Sequence, residues 1–153
     1  MINQTIDKIM TVNPKTVQSD TPLSQAIKLL VDNKISGLPV VDSEGKLVGI
    51  LTEGDLMWQE SGLEAPPYIM ILDSLIYLQN PARHEKEVHK VLGKTVGEVM
   101  SDKVIIIVAN QTVKEAAILM HDKKVSRLPV VQEKGGKLIG IVTQSDILRT
   151  MID

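Results

Sequence analysis

The sequence predicts a mixed α/β (α+β) protein: two β-α-β-β-α repeats packed sheet to sheet with internal pseudo-two-fold symmetry. Three observations predict it. First, Ile35-Ser36-Gly37-Leu38-Pro39-Val40-Val41 returns as Val125-Ser126-Arg127-Leu128-Pro129-Val130-Val131, with an offset of 90 and five of seven positions identical. Second, the block from Gly45 to Leu56 returns from Gly136 to Ile147 at an offset of 91, one residue having been added beside Gly135. Third, Thr5-Ile6-Asp7-Lys8-Ile9-Met10 matches Thr95-Val96-Gly97-Glu98-Val99-Met100, so three separated blocks recur in one order.

The elements follow in chain order and can each be read twice. Thr16-Val17 and Val104–Val108 are β-branched runs and read as strands. Thr21 is placed to cap a helix with Pro22 in its first turn, where a missing N–H costs nothing. Leu23, Ala26, Ile27, Leu30 and Val31 then form one apolar face. In the second copy Thr112 and Glu115 form a capping box ahead of Ala116, Ala117 and Met120. Strands Leu38–Val41 and Leu47–Leu51 are joined through Asp42-Ser43-Glu44-Gly45, which is hairpin chemistry. A second helix starts near Thr52 and again near Thr143.

Each repeat has about 50–60 residues, where burying enough surface alone is marginal. Packing the two sheets together solves this and leaves two related clefts. The expected boundaries are 1–62 for the first repeat, 63–93 for a connecting segment and 94–153 for the second repeat. In the connecting segment Pro66-Pro67 and Asn80-Pro81 break the chain around the apolar stretch Tyr68–Leu78, and Ala82–Leu92 reads as a charged helix ended by Gly93. Ile69, Ile71, Leu72, Leu75 and Ile76 are too apolar for a flexible linker and are expected to pack on the core or on another subunit.

Composition narrows the function. Hydrophobic residues make up 43% and charged residues 24%, the balance of a soluble globular protein with a sizeable core. Seventeen Lys plus Arg face 19 Asp plus Glu, a formal charge of −2 that argues against a duplex nucleic-acid binder. Trp58, Tyr68 and Tyr77 are the only aromatic residues, too few to stack single-stranded bases. Without cysteine there is no disulfide, thiolate metal site or thiol nucleophile. The apolar run Val104–Ala109 is far short of a membrane span, and the N-terminus lacks signal-peptide character. A cytoplasmic protein is expected.

Enzyme motifs are missing. His84-Glu85 and His89 suggest a zinc-protease helix, but histidines five apart diverge on a helix, and a solvated charged helix explains them better. His121 has no acidic or nucleophilic partner in a matched motif. No G-x-x-x-x-G-K-[ST], G-x-S-x-G or G-x-G-x-x-G occurs. No catalytic residue, catalytic cofactor or metal is expected.

The chemistry-bearing motifs are Thr52-Glu53-Gly54-Asp55 and Thr143-Gln144-Ser145-Asp146, each at a strand-to-helix turn. In isolation T-x-x-D is a helix cap. Recurring twice after a Gly-containing strand, it also suits ligand binding, because a carboxylate accepts hydrogen bonds from a ribose diol and helix N-terminal amides favour anions. One residue can do both. Gly49 and Gly140 lie inside strands, where glycine serves either close packing or room for a flat ligand. Pro39 and Pro129 each remove a donor, leaving neighbouring backbone able to meet a heterocycle. Arg127, whose counterpart is Gly37, reads either as a surface charge or as a bidentate phosphate contact.

Together the I-M-T and V-M-S leaders, S-G-L-P-V-V-D, S-R-L-P-V-V, G-x-L-V/I-G-I-L/V and T-x-x-D-L/I resemble a tandem cystathionine-β-synthase-type (CBS) domain pair. The resemblance covers nearly all the chain except about residues 60–92, whose apolar character is loosely similar to some stand-alone bacterial and plastid pairs. It implies that an adenosine-containing ligand (AMP, ADP or ATP, sometimes S-adenosylmethionine or a dinucleotide) binds in clefts between the repeats. It also implies a homodimer. Carried over residue by residue, cleft A takes Pro14, Lys15 and Thr16 with the backbone of Ser36, Gly37 and Leu38. Ile141 lines it, Thr143 and Asp146 hold the ribose, Ser145 also belongs to the cleft, and Arg127 faces phosphate. Cleft B takes Val104, Ile105, Val125, Ser126, Ile50, Thr52 and Asp55; Gly37 stands where an arginine would be, so phosphorylated ligands are expected to prefer cleft A. The implied role is an adenine-nucleotide-binding regulatory module, sensing energy or metabolite state and signalling to an unknown regulated protein. The alternatives are a constitutive interaction scaffold, which the intact Asp55, Asp146 and Arg127 argue against, or a nucleotide-processing enzyme lacking any visible base.

Overall fold

A computed structural model describes residues 3–56 and 94–152. The expected apolar stretch 68–78, the expected helix 82–92, His84, His89 and all three aromatic residues lie outside the described residues. The elements in chain order begin with a 3-10 turn (Ile6–Lys8), β1 (Thr11–Val12), α1 (Leu23–Asp32), β2 (Gly37–Val41), β3 (Leu47–Thr52) and α2 (Glu53–Leu56). They continue with α3 (Val96–Val99), β4 (Ile107–Val108), α4 (Val113–Lys123), β5 (Arg127–Val131), β6 (Leu138–Thr143) and α5 (Gln144–Ile152).

The described residues form two compact units that do not follow the order of the repeats. One contains residues 3–16, 41–48 and 103–152; the other contains 17–40, 49–56 and 94–102. The reason is an exchange of leaders. In the first unit the turn at Ile6–Lys8 docks on the second repeat: Ile6 N–H donates to the Gln111 carbonyl at 2.8 Å, and Val113 N–H donates to the Gln4 carbonyl at 2.8 Å. In the second unit the leader of the second repeat does the same to the first. Val96 N–H donates to Thr21 O at 2.9 Å and Leu23 N–H to Lys94 O at 2.9 Å. Each bond has its counterpart 90 residues away in the chain, so the internal symmetry extends to single hydrogen bonds.

The first unit is built on a four-stranded sheet in the order β1-β6-β5-β4. The β5–β6 pair is an antiparallel hairpin, with Arg127 opposite Thr143 and Pro129 opposite Ile141. β4 joins parallel to β5. β1, contributed by the leader, closes the other edge antiparallel to β6. Ile6, Ile107, Val113, Ala116, Met120, Leu128, Val130, Val142 and Ile147 are buried together against this sheet. The tip of the β2–β3 hairpin also belongs here, with Lys46 bridging to Lys137.

The second unit holds the corresponding set. Val17, Leu23, Ala26, Ile27, Leu30, Leu38, Val40, Leu51, Leu56 and Val96 are all buried. Val17 bridges in parallel to Val40, as Ile107 does to Val130, and Ile50 bridges to Ser101, as Ile141 does to Thr11. The turn between β2 and β3 is fixed by Asp42, whose Oδ1 accepts the N–H groups of Glu44 and Lys46, both at 2.9 Å. Gly45 follows at φ +84°, a conformation that favours glycine.

Several expectations shift locally. α1 starts at Leu23 with Pro22 as its cap residue, because Thr21 Oγ1 instead accepts the Gln18 N–H and closes the preceding turn. Val31 is 51% exposed, so the apolar face ends at Leu30. The strand expected over Val104–Val108 narrows to Ile107–Val108, and Thr16-Val17 supplies only the bridge at Val17. The capping box of Thr112 and Glu115 forms as expected, Thr112 N–H donating to Glu115 Oε2 at 2.8 Å.

Gly49 and Gly140 serve close packing. A Cβ at Gly140 would lie 2.5 Å from Met10 Sδ and 2.9 Å from the Thr11 carbonyl oxygen. At Gly49 it would lie 2.6 Å from Met100 Sδ and 2.9 Å from the Ser101 carbonyl oxygen. In both copies the leader backbone lies so near the strand that no side chain fits. Gly140→Ala is therefore expected to destabilise the protein by about 1–3 kcal/mol through overpacking. Urea unfolding measures this; a loss below about 0.5 kcal/mol, the range of inert surface changes, would mean the leader is not held against the strand.

Candidate functional site

Two corners of matching geometry form where a strand turns into a helix. At the end of β6, Thr143 N–H donates to Asp146 Oδ2 at 2.8 Å and Thr143 Oγ1 donates to the same oxygen at 3.1 Å. Asp146 N–H returns a bond to Thr143 Oγ1 at 3.3 Å. At the end of β3 the set repeats: Thr52 N–H and Oγ1 donate to Asp55 Oδ2 at 2.8 and 3.1 Å, and Asp55 N–H donates to Thr52 Oγ1 at 3.2 Å. This is a reciprocal cap in which an aspartate takes the place usually held by Glu or Gln. The shorter side chain brings the carboxylate close to the turn.

Each corner is fastened to the S-x-L-P segment of its own repeat. Gln144 N–H donates to the Ser126 carbonyl at 2.9 Å, and Glu53 N–H donates to the Ser36 carbonyl at 2.9 Å. Those carbonyls are thus engaged by helix starts, and the free-backbone expectation does not extend to them. In the second repeat the strand register places Arg127 opposite Thr143. Ser126, Arg127, Thr143 and Asp146 are therefore neighbours within one unit. Ser36, Gly37, Thr52 and Asp55 are their counterparts in the other.

The remaining expected residues are distributed as follows. Gly37 and Leu38 are buried, Leu38 completely. Ile50, Ile141, Val104, Ile105 and Val125 are half-buried; Lys15, Thr16 and Ser145 are exposed, and Pro14 is half-buried. His121 is exposed in the last turn of α4. No group of three His, Cys, Asp or Glu among the described residues could hold a metal ion. No helix among them is long and apolar enough to cross a membrane.

The two carboxylates differ in setting. Asp146 is 8% exposed and is the buried polar or charged residue of the described chain, whereas Asp55 is half-buried. Arg149, which the sequence reading did not single out, places Nη2 3.5 Å from Asp146 Oδ1. Its spacing of three from Asp146 on a helix was the available signal.

The fold and these repeated corners define a two-repeat α/β architecture, and comparison with known proteins gives it a family. The CBS domain profile matches residues 6–60 and 96–153, and the chain belongs to the CBS domain family as a tandem pair. The uncharacterised protein MJ1426 of Methanocaldococcus jannaschii is 34% identical over 148 residues, covering 91% of this chain and 86% of that protein. The structure of CBSX2 in complex with AMP is similar at TM-score 0.72 and 30% identity, covering 97% of this chain and 96% of that one. The chain spans 59% of the full length of chloroplastic CBSX2 from Arabidopsis thaliana. The CBS domain pair of protein MJ0100, solved with 5′-methylthioadenosine and S-adenosyl-L-methionine, is similar at TM-score 0.68 and 30% identity, covering 97% and 95% of the two chains.

The caps carry a stability cost that can be read directly. Thr143→Ala leaves the Asp146 N–H without its acceptor and is expected to lower stability by about 1 kcal/mol. Thr143→Ser, which keeps the hydroxyl, is expected to recover most of it. Thermal unfolding of the two variants decides the matter; an alanine variant as stable as the parent would contradict the cap.

Proposed function

We propose that this chain is an adenosine-ligand-binding regulatory module, without catalytic activity, that senses AMP, ADP, ATP or a related adenosine compound. The observation that carries this reading is the T-x-x-D corner, formed twice with the same hydrogen bonds and each time fastened to an S-x-L-P segment. Relatives support the ligand class: one pair was solved with AMP and another with methylthioadenosine and S-adenosylmethionine, and adenosine is common to all three.

The residue roles are assigned from the repeat pattern. One ligand takes its adenine contacts from the Ser36-Gly37-Leu38 backbone and Pro14 to Thr16, and packs on Ile141. Its ribose goes to Thr143 and Asp146, with Ser145 beside them, and its phosphate to Arg127. The second takes Val125-Ser126, Val104, Ile105 and Ile50, with Thr52 and Asp55 for the ribose. It meets no arginine at the position of Gly37, so phosphorylated ligands favour the first set. The module acts as a homodimer in the cytoplasm, and a regulated protein reads the ligand state. By linkage that partner must change ligand affinity by the same factor in return.

Thermal unfolding against AMP, ADP, ATP, NADH and S-adenosylmethionine tests the reading. A ligand at 100 times its dissociation constant adds about 2.7 kcal/mol, a shift of several degrees at this size. The expected result is a shift with at least one adenine compound that vanishes in Asp146→Ala, each shift being measured from that variant's own ligand-free midpoint. No shift with any of them at millimolar concentration would leave a constitutive scaffold instead.

A further inference from the structure

The two oxygens of Asp146 are not equivalent. Oδ2 accepts both Thr143 bonds, so its lone pairs are committed to the cap. Oδ1 is the oxygen with capacity to spare, and Arg149 Nη2 stands 3.5 Å from it. The Asp146 side chain is 9% exposed while that of Arg149 is 67% exposed. A nearly enclosed acceptor is thus guarded by a side chain that is itself in water. The arrangement is built by the helix, since residues three apart share a face. At the corresponding position of the first repeat the sequence has Trp58, which has no cation to offer.

We propose that Arg149 is a specificity-determining cover on the ribose acceptor of the second repeat. It stands 3.5 Å from Asp146 Oδ1 and competes with a ribose hydroxyl for the space in front of that oxygen. This rests on the ribose-binding reading of Asp146. Arg149 lowers affinity for any nucleoside carrying the 2′,3′-diol and leaves sugars without the diol unaffected. An ion pair whose cation is in water and 3.5 Å from its partner is weak, so the cover opens readily and sets a threshold rather than a block.

Isothermal titration of the full chain with adenosine and with 2′,3′-dideoxyadenosine tests the proposal. Both probes are uncharged, which removes the general attraction of an arginine for phosphate. Arg149→Ala is expected to tighten adenosine binding about two- to fivefold, the range of an exposed ion pair, and to leave dideoxyadenosine unchanged. Arg149→Lys, lacking the planar fork, should fall between. In an Asp146→Ala background the substitution should have no effect. If the parent prefers adenosine but Arg149→Ala leaves its affinity unchanged or weaker, or tightens both probes alike, the cover is overturned while the ribose reading stands. If the parent binds both probes equally, or binds neither of them nor AMP, the ribose reading falls and takes the cover with it; a parent that binds AMP alone is compared with AMP and 2′,3′-dideoxy-AMP, with the same expected outcomes.

Discussion

The structure depends on the approach of a leader backbone to a strand at a glycine. At Gly140 the chain from Met10 to Thr11 lies where a Cβ would be, and at Gly49 the chain from Met100 to Ser101 does the same. This contact allows the leader to add an edge to the sheet in one unit and a bridge in the other. Ile6 and Val96, the first apolar residues of the two leaders, are both fully buried as a result. A repeat of this length is marginal in the surface it buries alone. Each compact unit includes a segment from the other repeat.

The same economy governs the candidate site. A helix that starts directly after a strand has N–H groups to satisfy, and T-x-x-D satisfies them with one hydroxyl and one carboxylate. At Asp146 the cap uses Oδ2, which holds the carboxylate in place while Oδ1 lies beside Arg149. A binding group held by helix and strand is positioned more firmly than one on a loop. The two copies differ in sequence: Arg127 stands where the first repeat has Gly37, and Arg149 where it has Trp58. Two corners with one backbone geometry thus carry different charge.

Much of this was legible in the sequence because the repeat allowed each element to be read twice. The Thr112–Glu115 box, the β5–β6 hairpin and both T-x-x-D turns follow from local chemistry, and local chemistry is what a sequence displays. What escaped was non-local. Nothing near Thr11 marks it as a strand; its partner Ile141 is 130 residues away. The exchange of leaders escaped for the same reason, although Met10 and Met100 recur at matching positions and Gly49 and Gly140 mark their landing sites. At Thr21 two local rules competed, and the turn to Gln18 won over the helix cap. Arg149 was passed over because a lone charge on a helix is normally solvated surface; only the geometry of Asp146 gives it significance.

The most direct test of the account is a crystal structure grown with AMP. The account predicts nucleotide whose ribose hydroxyls lie within hydrogen-bonding distance of the Asp146 carboxylate, with Arg149 displaced from Oδ1 and the Thr143 cap intact. Nucleotide bound away from both Asp146 and Asp55, or both carboxylates unchanged at saturating AMP, would contradict it.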